Sequence, residues 1–275
     1  MSRSFSARRL AHASASARAA TPPADASFDA IVCGGGHNGL TAAAYLARAG
    51  LRVCVTERRE RLGGAAVSEQ IVPGFTFSRA SYLAGLLRPS IITQLGLEKH
   101  GFKYLPRDPS SFTPTALDGP HAGKSLIMGA DAAATARSVA QFSEKDAAVL
   151  PKYEEFLSRV RSVVTPLLDG APPDITVGGL LERLESFRRA GTAGRALFAH
   201  PGLAAATAEL FTAPASHILD RWFESDVLKA TLATDAVIGA LHSPCTPGSG
   251  YVLLHHVSAC NASQSNTLFF FFNLC

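Results

Sequence analysis

Charge is scarce in this chain. Asp, Glu, Lys and Arg make up 17% of its 275 residues, against roughly 25% in an average soluble protein. The formal net charge is +4, and Arg3, Arg8, Arg9 and Arg18 all lie near the amino terminus. The remainder is nearly neutral, with no basic stripe and interleaved aromatics, which excludes the footprint of nucleic-acid binding. Long apolar runs are lacking too: none reaches the roughly 18 residues that a transmembrane helix needs. Cysteines are few, at 33, 54, 245, 260 and 275, with no CxxC pair and no ligand spacing. A disulfide scaffold, a zinc site and dithiol exchange are excluded on that ground. His255 and His256 are adjacent without a third partner, so no metal site is expected there. Apolar residues, by contrast, make up 47% of the chain, an ordinary globular share that excludes wholesale disorder.

Residues 1–27 stand apart. They are rich in Arg, Ser and Ala, hold Asp25 as their one acid, and end in Thr21-Pro22-Pro23 and a short polar stretch. That composition predicts a mitochondrial transit peptide or a disordered tail, and it lacks the apolar core of a secretory signal. Mitochondrial matrix localisation is the resulting expectation.

The densest signal begins at Phe28. Phe28–Cys33 is a short apolar run suited to a buried parallel strand, followed by Gly34-Gly35-Gly36-His37-Asn38-Gly39, a helical stretch to Gly50, and a second strand ending at Glu57. Strand, G-x-G-x-x-G, helix, strand and acid together form a dinucleotide-binding context. Gly34 permits the tight turn, Gly36 lets backbone approach a pyrophosphate, and Gly39 allows close helix–strand packing. Open N–H groups and the helix dipole face the phosphates. Glu57 accepts hydrogen bonds from a ribose diol, and its charge disfavours a 2′-phosphate, so NADP is disfavoured.

Glu57-Arg58-Arg59-Glu60-Arg61-Leu62-Gly63-Gly64 continues from the acid. This resembles the E-x-R-x-R-x-G-G pattern of flavoproteins of the amine oxidase and phytoene desaturase superfamily, and favours FAD. GGGHNGLTAAAYLARAG, ERRERLGGAAVSE, PGFTFSRASYLAGLLRP, KYEEF, RWFESDVLKATLATDAVIGA and TPGSGYVLLHHV are similar, in order, to the carotenoid and retinoid oxidoreductase family related to phytoene desaturase. The resemblance runs from about Phe28 to Val257. It implies an α/β fold: a Rossmann-like FAD/NAD(P)-binding domain with an inserted, largely helical part of a substrate domain. Cofactor positions carried over are Gly34, Gly36, His37, Asn38, Gly39, Glu57, Arg59, Gly63 and Gly64, with Gly35, Arg58 and Arg61 beside them. No catalytic residue is transferred. The implied chemistry is a hydride moved from a substrate C–H bond to flavin, on a small apolar substrate. A non-catalytic interaction or regulatory protein and an NAD-dependent dehydrogenase remain the alternatives.

Farther on, Ser68–Arg79 and Ser110–Thr115 read as extended and Leu126–Met128 as a short strand. Helical patterns start at Pro89, run from Ser143 to Leu168 with Pro151 as a start or kink, and cover Thr176–Arg189, Gly202–Phe211 and Ser216–Gly239, with a break at Pro214. Cys33 and Cys54 are expected as small core residues, and Trp222-Phe223 as core packing. These readings divide the chain into a leader (1–27), an FAD-binding region (28–130), a helical substrate-domain portion (131–257) and a divergent tail (258–275). The family continues well beyond Val257, with a second glycine-bearing FAD segment. The tail, with Phe269–Phe272, therefore reads as non-native, and the expectation is a truncated, inactive form.

Overall fold

The first strand of the fold is anchored by a single arginine. In this computed structural model, which describes residues 26–81, 87–168, 176, 179–258 and 269–271, Asp29 accepts the Arg52 backbone N–H at 2.8 Å and its Nη2 at 3.0 Å, while Arg52 Nη1 donates to Ser27 Oγ at 2.6 Å. Those bonds hold the Asp29 carboxyl below its ordinary range. They start strand β1 (Ala30–Cys33) beside β2 (Val53–Thr56), parallel, with Ala30 opposite Val53 and Cys33 opposite Thr56. Helix α1 (His37–Arg48) makes the crossover between them.

An antiparallel ribbon follows, β3 (Ser68–Val72) with β4 (Phe75–Ser78), turning at Pro73-Gly74 and carrying a bulge between Gln70 and Val72. Helix α2 (Pro89–Leu95) begins with its proline in the first turn and stops at Gly96 in a left-handed conformation, the usual asymmetry of helix ends. Its last turn is tied to α1 by Tyr45 and Arg48, which donate to the Gln94 side chain and carbonyl. Strand β5 (Leu105–Arg107) closes this part of the chain and is paired with β8 (Phe269–Phe271).

Two compact units result, one of residues 1–106 and 270–275, the other of 107–269. The division precedes the ribbon β6 (Ser111–Pro114) and β7 (Ser125–Met128). The physical reason is a shared core. Leu126 of β7 is fully buried in the same apolar cluster as Val139, Leu150 and Val160, and Ser138 Oγ accepts the Ile127 N–H at 2.8 Å.

The second unit is otherwise helical: α3 (Ala132–Ala140), α4 (Glu144–Leu168), α5 (Leu180–Phe198), α6 (Leu203–Thr212), α7 (Ala215–Trp222), α8 (Asp226–Ala233) and α9 (Ser249–Ser258). Asp131 caps α3, accepting the N–H groups of Ala133 and Ala134. Helix α4 runs through Pro151 as one 25-residue element. Phe223 is buried and Trp222 packs against the core, both edge-on to Tyr153, as expected.

The pattern Ser216–Gly239 does not form one helix. It breaks at Phe223-Glu224-Ser225, because the buried carboxylate of Asp146 on α4 accepts the N–H of Glu224 at 3.0 Å and of Ser225 at 2.8 Å. Ser225 then caps α8 through the Leu228 N–H. The helix expected from Thr176 starts only at Leu180. The leader's first 25 residues, most of the tail, and Cys260 and Cys275 lie outside the described residues. No helix among the described residues is long and apolar enough to cross a membrane.

Candidate cofactor site

The glycine turn joins β1 to α1 at the carboxyl ends of both parallel strands, where open α/β sheets place their ligands. Gly34 sits at φ +105, and its N–H donates to Thr56 O at 2.7 Å, so the turn locks onto the end of β2. A side chain at Gly39 would land on the Gly34 carbonyl oxygen and press on Val32. That glycine therefore serves helix–strand packing, as its place in the motif predicts.

Gly36 is the N-cap of α1, with no side-chain cap bond and no acid in the first turn. The first-turn N–H groups of the helix have no intrahelical acceptor, and no acidic side chain within the first turn offsets the positive end of its dipole. An anion placed there meets both. His37 and Asn38 lie on this first turn, both exposed, and His37 contributes its carbonyl to Thr41 Oγ1 at 2.7 Å.

Glu57 is brought back onto the turn. Its Oε2 accepts the Gly35 N–H at 2.7 Å and its Oε1 the Arg59 N–H at 2.9 Å. These two bonds, Arg59 first, hold the carboxyl below its ordinary range. The carboxylate is thus ionised and oriented, with lone pairs left over for a ribose diol.

The arm 58–64 folds over the same place. Gly63 donates its N–H to Gly35 O at 2.8 Å, and Gly36 and Gly63 form a parallel bridge. Glu57 and the arm therefore engage both backbone groups of Gly35, which makes Gly35 a docking point for the protein itself. Gly64, at φ +59, would place a Cβ 2.9 Å from Gly36 Cα. The doubled glycine thus allows the two turns to touch, a role that its sequence pattern does not reveal. Leu62, which lies against Gly35, was also missed; its signal is an apolar residue immediately before Gly63-Gly64. Arg59 leans back on the arm, its Nη1 3.5 Å from Gly64 O. Arg58 and Arg61 are exposed.

Cys33 and Cys54 do not behave as core residues: Cys33 is exposed and Cys54 half-buried. Strand alternation explains this. Val32 faces α1 at Gly39, so Ile31 and Cys33 point to the other face, where Ile31 is 64% exposed. Among the described residues, no group of three or more His, Cys, Asp or Glu is placed to hold a metal.

The residues present fit the adenosine diphosphate end of a dinucleotide: an uncapped helix start, a bare glycine backbone and an oriented carboxylate within one clasp. Residues 32–89 match the family model of the NAD(P)-binding Rossmann-like domain. The chain is 55% identical over 238 residues to pyridine nucleotide-disulfide oxidoreductase domain-containing protein 2 of Rattus norvegicus, a match covering 84% of this chain and 40% of the rat protein. The Mus musculus protein matches equally, so the chain spans about 40% of the length of these curated relatives. It is 48% identical over 81 residues to a component of the limonene dehydrogenase of Castellaniella defragrans, covering 29% of this chain and 15% of that one. Against all-trans-retinol 13,14-reductase of Rattus norvegicus the identity is 32% over 175 residues, 60% of this chain and 28% of that one. Among solved structures, a triple mutant of putrescine oxidase superposes with a TM-score of 0.51 at 16% identity, covering 89% of this chain and 45% of that chain. That likeness establishes a shared α/β fold.

Proposed function

We propose that the protein is an FAD-dependent oxidoreductase of the mitochondrial matrix that removes hydride from a C–H bond of an apolar, isoprenoid-type substrate. The observation that carries this reading is the convergence on Gly35 and Gly36 of the Glu57 carboxylate and the Gly63-Gly64 arm. In it, the first turn of α1 holds the pyrophosphate of FAD, and Glu57 holds the adenosine ribose. Bound there, FAD supplies the ring that accepts the hydride. The chain's own contribution is binding and orientation: Gly36 admits the phosphates to backbone contact, and Gly63-Gly64 fixes the wall beside them.

FAD is favoured over NAD by the E-x-R-x-R-x-G-G arm, whose glycines are seated on the turn. The apolar substrate class rests on similarity to proteins named for limonene and all-trans-retinol. Matrix localisation rests on the Arg-rich, acid-poor leader. The NAD(P)-binding family model supports a second reading, an NAD-dependent dehydrogenase.

The absorbance spectrum of the purified protein separates the two. Flavin bands that persist through gel filtration support the first reading, and a colourless protein that binds NAD supports the second. Fusing residues 1–30 to a fluorescent protein tests localisation, and a diffuse cytosolic signal would sink it.

A further inference from the structure

Helix α1 opens on a base. His37 is its first residue after the N-cap Gly36, it is exposed, and no acid accompanies it in the first turn. Acidic side chains are the ones that suit this end of a helix, and burial does not compensate the histidine for its place. A residue that breaks a local rule is where function is to be sought. Direction agrees. Helix side chains lean toward the amino terminus, so His37, at the first position, reaches ahead of α1, where an anion meets the open N–H groups. Gly39 faces the strand, since a Cβ there would meet Gly34 O and Val32. His37 lies about 200° from it around the helix and so is not turned into the sheet.

The charged and titratable groups around this turn come from three places. Glu57, at the end of β2, has its oxygens on the N–H groups of Gly35 and Arg59 and is ionised above its depressed value. On the arm, Arg59 rests 3.5 Å from Gly64 O, while Arg58, Glu60 and Arg61 are exposed. Cys33 ends β1 on the face away from α1. Helix α2 meets α1 only farther along, at Tyr45 and Arg48. Of these side-chain types, histidine is the one that changes charge between pH 5 and 8. We propose that His37 is a proton-linked anchor for the dinucleotide. Its imidazolium pairs with the pyrophosphate, so that binding takes up a proton from solvent and weakens as pH rises through neutrality. This rests on the reading that the first turn of α1 holds a pyrophosphate.

ADP-ribose is the probe, because its doubly esterified pyrophosphate keeps a fixed charge over this range. Its affinity for the whole chain should fall about tenfold from pH 5.5 to 8, the scale of one charge-assisted hydrogen bond. Calorimetry near neutral pH, in buffers of different ionisation enthalpy, should show net proton uptake. His37→Gln should bind weakly at every pH without proton uptake, and His37→Arg should bind tightly at every pH. Circular dichroism and Tm check that both variants are folded. Wild-type affinity that is flat with pH, or a slope that survives in His37→Gln, overturns the proposal and leaves the cofactor site standing. No binding at any pH, with no amide shifts at Gly36 and Gly39, overturns both the proposal and the reading beneath it.

Discussion

The amide N–H of Gly35 donates to Glu57 Oε2 at 2.7 Å, across 22 residues of chain. One carboxylate thereby ties the end of β2 to the glycine turn, and a property of the cofactor site becomes a property of the fold. Glu57→Ala should weaken FAD binding tenfold or more, since a charged acceptor is lost to both Gly35 and the ribose. Fluorescence titration measures this, and unchanged affinity would remove Glu57 from the site.

The same carboxyl fixes a pH dependence. Its value in the folded protein lies below the ordinary 4.5. Its stabilising contribution is therefore fully present above pH 4.5 and is lost as pH falls through the depressed value. Chemical denaturation between pH 3 and 6 should show a shallower acid-side slope for Glu57→Gln than for wild type (roughly one proton fewer, at most, in the linkage). Identical slopes contradict the assignment.

Gly64→Ala should destabilise the protein by about 2 kcal/mol or more, combining a left-handed conformation with a Cβ forced against Gly36. Urea unfolding monitored by circular dichroism gives the value. A stability equal to wild type would mean that the two turns do not touch.

In the helical unit the corresponding test is Asp146, whose buried carboxylate holds the N–H groups of Glu224 and Ser225. Asp146→Ala should cost roughly 3 kcal/mol, at the scale of hydrogen bonds to a charged group. Tyr153 gives the opposite expectation. Its hydroxyl is buried without a partner among the described residues, and burial pushes its phenol above the ordinary 10.0. Tyr153→Phe should be neutral or stabilise by up to ~1 kcal/mol. It should also remove part of the stability lost as pH rises above about 10.

The strand, turn, helix and acid of residues 28–57 were legible in the sequence because each is a local pattern with fixed spacing. What escaped depends on distant partners. The break at Phe223–Ser225 is imposed by Asp146, 79 residues from Ser225. The β6–β7 ribbon packs with the helices because Leu126 enters their core, which no local composition announces. Cys33 looked buried because an apolar run does not say which face of a strand is covered. The seating of Gly63-Gly64 on Gly36 was hidden for the same reason: the spacing shows two bare glycines, and only the fold shows what approaches them.

The central claim is that Gly36 is bare for a ligand and not for the fold. Its φ of −77 suits any residue, and an added Cβ would meet only Gly64 Cα, at an ordinary 3.7 Å. ADP, the fragment common to FAD and NAD, should be titrated into isotope-labelled wild type and Gly36→Ala, with amide shifts read by NMR and Tm measured in parallel. Saturable shifts at Gly36, His37, Asn38 and Gly39 in wild type are predicted, weakened at least tenfold in a variant of unchanged Tm. Equal binding by both proteins, or no shift at those amides up to about 5 mM ADP, would contradict it.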